Sequence, residues 1–150
     1  MGLIINKPMH NMHLSNLLEQ LSVMQSPGID DINLYFGGPV EGGRGFVLHS
    51  TDYTSDLSTL SVSPDFGMTA TVDILEDMAK GSGPRNALVA LGYSGWGEGQ
   101  LEAEISANGW LICDATRDMV FGVQDADKWT AALNSLGVDP LTLSLEAGHA

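Results

Sequence analysis

The chain predicts an α+β fold in a single domain of 150 residues. Three observations carry that reading. Short apolar runs such as Ala87-Leu88-Val89-Ala90-Leu91 have the length and bounding glycines of buried strands. Leu14, Leu17, Leu18 and Leu21 recur at helical spacing, as do Ile74, Leu75, Met78 and Ala79. The two kinds of segment are mixed without the strict alternation of a doubly wound sheet. No linker, internal repeat or low-complexity tract divides residues 1–150.

Taken in order, Leu3-Ile4-Ile5 reads as a core strand that Asn6-Lys7-Pro8 ends, since proline removes a ladder donor. The leucine-rich helix follows, and Pro27-Gly28 with Asp30-Asp31 marks a loop. Leu34-Tyr35-Phe36 and Phe46-Val47-Leu48-His49 read as strands on either side of the glycine-rich stretch Gly37 to Gly45. They form either a hairpin with a long connection or two strands that change direction. Leu60-Ser61-Val62-Ser63 and Gly67-Met68-Thr69-Ala70 alternate weakly, as edge strands do. Thr71 is placed as the cap of a helix from Val72 to Lys80, and Gly81 as its stop. Leu101 to Ile105 reads as the start of another helix. Trp110-Leu111-Ile112-Cys113 and Met119-Val120-Phe121 read as short strands. Asp125 is expected to cap a last helix carrying Trp129, Ala132, Leu133 and Leu136, ended by Gly137.

Composition narrows the function classes. Nineteen acids against six basic residues give a formal net charge of -13. Lys7, Arg44, Lys80, Arg85, Arg117 and Lys128 are scattered, whereas nucleic-acid binding needs clustered cations that displace counterions. Direct DNA or RNA binding is therefore disfavoured. The single cysteine, Cys113, allows no internal disulfide and reads as a small buried hydrophobe. No secretory signal or membrane-spanning run is evident, so a soluble cytoplasmic protein is expected.

The candidate chemistry centres on Gly92 to Glu102. A strand, a glycine-rich bend carrying Tyr93 and Trp96, and a helix N-terminus make a plausible site. Gly95-x-Gly97-x-Gly99 lacks the P-loop lysine, is not spaced as G-x-G-x-x-G, and carries Glu98 where a phosphate would sit. A nucleotide loop is not expected, and a tight strand-to-helix turn is the commoner meaning of such glycines. Arg44, in its own glycine loop, suits a carboxylate or phosphate, although a local ion pair is the more frequent role. His10 and His13 have a spacing that could share a metal, but no third ligand is evident. His49, Ser50 and Asp52 are near neighbours in sequence. A triad is defined by geometry, however, and no nucleophile elbow is present. Glu98 and Glu102 share a helical face, which reads as a solvated face at the positive end of a helix dipole. His149 stands next to the C-terminus.

Many segments together resemble the AlgH family, also called the YqgE type, over essentially the whole length. They are Met1 to Pro8, Phe36-Gly37-Gly38-Pro39-Val40, Arg44 to His49, Asp73-Ile74-Leu75, Leu88 to Tyr93, Trp96 to Glu102 with Glu104-Ile105, Asn108 with Trp110-Leu111, Leu136 to Pro140, and the closing Gly148-His149-Ala150. The resemblance implies an α+β domain with a bulged, largely antiparallel sheet and flanking helices. The family carries a transcriptional-regulator label and no evident DNA-binding motif, so regulation is expected to act indirectly, through a protein or small molecule. The resemblance also implies about thirty further residues before the Met1 segment, supplying strands. Without them the edge at Leu3, Ile4 and Ile5 would invite self-association, or the N-terminus would be rearranged.

The leading expectation is a non-enzymatic domain that binds a small molecule or a protein, with no cofactor or metal. Its site is Arg44, His49, Tyr93, Trp96, Glu98, Gln100 and Glu102. Gly37, Gly38, Gly92, Gly95, Gly97 and Gly99 set the backbone geometry, and the two glycine-rich segments converge. The alternatives are an enzyme whose cleft combines Arg44, His49 and Glu98, and a direct DNA-binding regulator, against which the charge argues.

Overall fold

The computed structural model describes residues 1–142. His149 and the tripeptide Gly148-His149-Ala150 lie outside them. The elements are β1 (Pro8–His13), α1 (Leu14–Gln20), β2 (Asn33–Phe36), β3 (Val40–Ser50), β4 (Leu60–Ser63), β5 (Phe66–Thr69), α2 (Val72–Lys80), β6 (Ala87–Tyr93), α3 (Gln100–Ser106) and α4 (Lys128–Ser135). A π-helical turn at Asp118–Gly122 precedes α4, and a 3-10 turn at Pro140–Thr142 follows it.

The strands form one six-stranded sheet in the order β1-β2-β6-β3-β5-β4. Every neighbouring pair is antiparallel except β2 and β6. The sequence position of β6 explains its character. It enters late, between β2 and β3, and is buried along almost its whole length. A strand covered on both faces needs a continuous apolar run, which Ala87 to Leu91 supplies.

Alternation splits the sheet into two faces. On one, Leu34, Val47, Val89 and Leu91 meet Leu14 and Leu18 of α1 and Ile74, Leu75 and Ala79 of α2. The register sets Tyr35, Phe46, Leu48, Leu88 and Ala90 on the other. That face is reached by Phe121, whose ring lies 5.8 Å from Phe66, and by Lys128, which sits over Tyr35. Burying such side chains contributes about 1.5–3 kcal/mol each.

At the C-terminal ends of β2 and β6 two backbones touch. Gly37 N–H donates to Leu91 O at 2.8 Å. A Cβ on Gly37 would stand 2.2 Å from Gly92 O, and one on Gly38 would stand 2.1 Å from the Tyr93 carbonyl carbon. Gly92 has φ +73°, and a Cβ there would stand 2.5 Å from Gly38 O. This left-handed residue breaks the alternation of β6. Tyr93 turns onto the face of Phe46, where the two rings meet edge-on at 5.6 Å.

Several expectations change. Leu3 to Ile5 is not a core strand. It is a half-buried irregular segment tied by the Gly2–Ser94 bridge and by Ile4 N–H to Gly37 O. Pro8 begins β1 rather than ending a strand, because an edge strand tolerates a missing donor at its first residue. β2 and β3 are no hairpin, since β6 separates them, and Val40 to Gly45 of the glycine-rich stretch already belongs to β3. β5 lies inside the edge that β4 forms. Trp110 to Cys113 is irregular, with Leu111 and Ile112 exposed, and Met119 to Phe121 sits in the π-helical turn. Their apolar runs have no strand alongside, so no ladder forms. Asp127, not Asp125, precedes α4. Val72–Lys80 and the left-handed stop at Gly81 stand as expected, and Thr71 holds the N-cap position, but its hydroxyl donates to the Asp73 carboxylate and caps no backbone N–H. No helix among the described residues is long and apolar enough to cross a membrane.

Gly92→Ala is expected to cost about 3 kcal/mol or more, from a left-handed alanine plus the clash with Gly38. Gly43→Ala, with open space around its Cβ, should change stability by under about 0.5 kcal/mol. Urea unfolding monitored by circular dichroism separates the two.

Candidate functional site

A concavity lies at the N-terminal ends of the parallel pair β2 and β6. It is a cleft of about 550 Å³. One wall is the α2–β6 connection from Gly81 to Ala87, with Leu14, Ile29 and Ile32 behind it; the other is Val120 to Gln124 of the π-helical turn and its exit. π-Helical turns are uncommon and recur at functional sites. Tyr35, Asp125 and Lys128 line the cleft where the walls meet.

These three form a polar cluster around one buried cation. Lys128 is 6% exposed. Its Nζ donates to Asp125 Oδ1 at 2.8 Å and to Ile5 O at 2.9 Å, and it lies 5.5 Å from the centroid of the Tyr35 ring. The Tyr35 hydroxyl donates to Asp125 Oδ2 at 3.0 Å. Burial, followed by the negative charge of Asp125, pushes the Tyr35 phenol up to about 12. Tyr35 therefore stays a hydrogen-bond donor at neutral pH. The cluster ties the N-terminal segment, β2 and α4 together at the cleft. None of its three residues stood among the expected site residues. Its only local signal was Asp125 three residues before Lys128, which reads as an ordinary helix-start acid.

The expected site divides into three places. Arg44 is exposed, pairs with Glu41 at 3.3 Å, and lies 5.2 Å from the Phe46 centroid, which leads on to Tyr93. Trp96 belongs to a cluster around α3. Glu104 accepts from Trp110 Nε1 at 2.7 Å, Gln100 Nε2 at 2.9 Å and Trp96 Nε1 at 3.1 Å. Gly97 N–H donates back to Gln100 Oε1 at 3.0 Å, and the two indoles meet edge-on at 5.7 Å. Glu98 and Glu102 are exposed. Glu104 organises the cluster, although it was not among the expected site residues. Its spacing of four from Gln100 was the available signal.

His49 stands apart. It pairs with Ala87, at the opposite end of β6 from Tyr93. Six residues of strand put about 20 Å between them. The ring is fully buried. Nδ1 is 3.0 Å from Ser50 O, which can only accept, so Nδ1 is assigned the proton. Thr69 Oγ1, at 3.0 Å, then donates to Nε2; Thr59 Oγ1 lies 2.8 Å beyond it and accepts from Ser55 N–H. Gly67 leaves room for the ring, since a Cβ there would stand 2.7 Å from Cε1. His49 is thus a satisfied core histidine and shares no cleft with Arg44 or Glu98. Ser50 turns instead to Asp52 and to the Asn86 backbone. Among the described residues no cluster of three or more His, Cys, Asp or Glu side chains could hold a metal. Cys113 is free and half-buried.

The fold and cleft define a compact α+β domain with one mixed sheet and a polar-floored groove at the sheet end. The chain belongs to the AlgH-like family, whose profile matches residues 1–141. It is 57% identical over 150 residues to a UPF0301 protein of Cereibacter sphaeroides, covering all of this chain and 82% of that one. A UPF0301 protein of Rhodospirillum rubrum is 46% identical over 150 residues, covering 100% of this chain and 78% of that protein. The solution structure of the AlgH protein from Pseudomonas aeruginosa matches with a TM-score of 0.78 at 41% identity, over 100% of this chain and 79% of that one.

Two outcomes test the clusters. The hydrogen bond from Trp110, followed by those from Gln100 and Trp96, holds the Glu104 carboxyl below its usual range. A group depressed in this way supports the native cluster at neutral pH and loses that support as pH falls through its folded value. Tryptophan emission should therefore titrate with a midpoint below the ordinary glutamate value of about 4.3, and Glu104→Gln should remove that transition. Lys128→Met should cost about 3 kcal/mol in urea unfolding, because it strands Asp125. Adding Asp125→Asn should recover part of the loss.

Proposed function

We propose that this protein is a cytoplasmic, non-enzymatic binding domain whose small-molecule ligand seats in the cleft between the α2–β6 connection and the π-helical turn. One observation carries the reading. The cleft volume of about 550 Å³ lies within the roughly 300–1,000 Å³ of small-molecule sites, and its lining joins apolar side chains to a larger share of polar surface. Leu14, Ile29, Ile32, Met78 and Phe121 supply the walls; Tyr35, Asp125 and Lys128 supply the polar floor. Any effect on transcription would run through the ligand-bound protein rather than through operator contact. The net charge of -13 supports that route, since it repels phosphate.

An enzymatic reading built on Arg44, His49 and Glu98 lacks support, because His49 is enclosed in the core and about 20 Å of strand separates it from the Tyr93 end. Leu3, Ile4 and Ile5 are half-buried, with Ile4 N–H and Ile5 O already bonded within the chain. This favours the cleft over self-association at that edge.

A second reading concerns protein contact near α3. It rests on the adjacent exposure of Trp110, Leu111 and Ile112, at 48%, 57% and 63%. Fragment screening by amide NMR distinguishes the two. Hits are expected to shift residues 81–88 and 120–128. Gln124→Trp, which places a large ring at an exposed position of the cleft wall, should weaken them by about tenfold or more while leaving the melting temperature nearly unchanged. Hits that map to Trp96 and Trp110 and ignore Gln124→Trp would replace the cleft with the α3 surface.

A further inference from the structure

The turn that ends α3 carries chemistry of its own, away from the cleft. Asn108 is the one asparagine of the chain that a glycine follows. Both residues are exposed, and the Asn108 side-chain amide has no hydrogen-bond partner among the described residues. Gly109 places no side chain in front of its own peptide nitrogen. An asparagine in that setting is open to attack on Cγ by the nitrogen of the next residue.

The end of α3 opposes that attack. Asn108 has φ +57°, a left-handed conformation that asparagine adopts more readily than most residues. Its N–H donates to Ile105 O at 3.0 Å, and the Gly109 N–H donates to Glu104 O at 2.8 Å. This pair of bonds is a Schellman cap, with asparagine in the place that glycine usually takes. While the cap stands, the Gly109 N–H is engaged, and its nitrogen cannot shed the proton and become a nucleophile. The cap is lightly anchored, however. α3 has seven residues and buries none of them. Its end is held by the Glu104 carboxylate, which receives Trp110 Nε1 from just beyond the cap as well as Trp96 Nε1 and Gln100 Nε2. A short helix without buried residues opens locally at far lower cost than the whole domain unfolds.

We propose that Asn108-Gly109 is a site of spontaneous deamidation gated by the C-terminal cap of α3. In the opened state the Gly109 nitrogen loses its proton to solvent and bonds to Asn108 Cγ. The Cγ–Nδ2 bond breaks, and Nδ2 leaves as ammonia. Water then opens the cyclic imide at either carbonyl, which gives aspartate or isoaspartate at position 108. The net change is an amide plus water to an acid plus ammonia, with no oxidant or reductant. An isoaspartate routes the backbone through Cβ. The added methylene breaks the cap, so Gly109 no longer meets Glu104 O and Trp110 leaves the carboxylate. Leu111 and Ile112, 57% and 63% exposed, move with it. The reaction is thus an irreversible release of the surface beside α3.

The test follows the full chain through incubation at mildly alkaline pH, with peptide mass spectrometry reading each asparagine and circular dichroism confirming the native fold. Asn108 is expected to convert ahead of every other asparagine, at about a tenth or less of its rate in the same chain unfolded by urea. Glu104→Ala, which removes the acceptor of both indoles, should speed conversion in the native chain several-fold. Trp110→Phe, which removes one donor and keeps a ring, should act in the same direction and decides if Glu104→Ala does not fold. Asn108→Gly should keep the cap, abolish conversion at this position and abolish the change in tryptophan emission that accompanies it. A native rate equal to the unfolded rate, or one that neither loosened variant raises, would overturn the gating by the cap. Conversion no faster at Asn108 than at the other asparagines, or absent from the native chain and both loosened variants, would overturn the site.

Discussion

The insertion of β6 between β2 and β3 is the constraint on which the rest of this structure depends. The strand that completes the sheet is the last of the six in sequence, and it enters between β2 and β3, which only Gly37 to Pro39 join. It can do so only if its side chains suit both faces and its end suits a backbone-to-backbone contact. Ala87 to Leu91 meets the first condition. Gly37, Gly38 and Gly92 meet the second, because nothing larger fits between those peptide planes. The glycines are therefore a steric requirement of the parallel β2–β6 junction rather than a ligand cradle.

The two ends of β6 then acquire different characters. At its C-terminal end the Gly92 turn sends Tyr93 to Phe46, and the chain runs into the bend that leads to α3. There Glu104 gathers two indoles and an amide on one carboxylate. Three donors on one carboxylate fix the orientations of the two indoles and the amide. At its N-terminal end the loops before β2 and β6 part, and the π-helical turn closes one side of the gap. The floor there is a buried lysine, an aspartate and a tyrosine. A buried ion pair is weak evidence for stability, since desolvation offsets much of the attraction. Its position against an open cleft makes binding the more informative reading.

Apolar periods and run lengths are a true guide where the signal is local. The helix start at Thr71, the stop at Gly81 and the helical period between them need only neighbouring residues. The same holds for the strand Ala87 to Leu91. They misread Leu3 to Ile5, Trp110 to Cys113 and Met119 to Phe121, because an apolar run specifies burial and not a hydrogen-bonding partner. A strand exists only where a second one lies alongside. His49 shows the same limit at a candidate site residue. Its neighbours Ser50 and Asp52 suggested chemistry, while the groups that satisfy its ring include Thr69, twenty residues away.

By itself the sequence determined the class of fold, the family, the acidic character that argues against nucleic acid, and the glycine positions where the backbone must do something unusual. All of these are written in composition, spacing or local stereochemistry. Only the tertiary structure decided that β6 is central, that His49 is enclosed, and that Tyr35, Asp125 and Lys128 meet at a cleft. The cleft cluster depends on contacts across 90 to 123 residues of chain, the place of β6 on a register that pairs Leu34 with Val89, and the His49 ring on Thr69 from another strand. The order in which strands join a sheet sets such contacts, and no local pattern encodes that order.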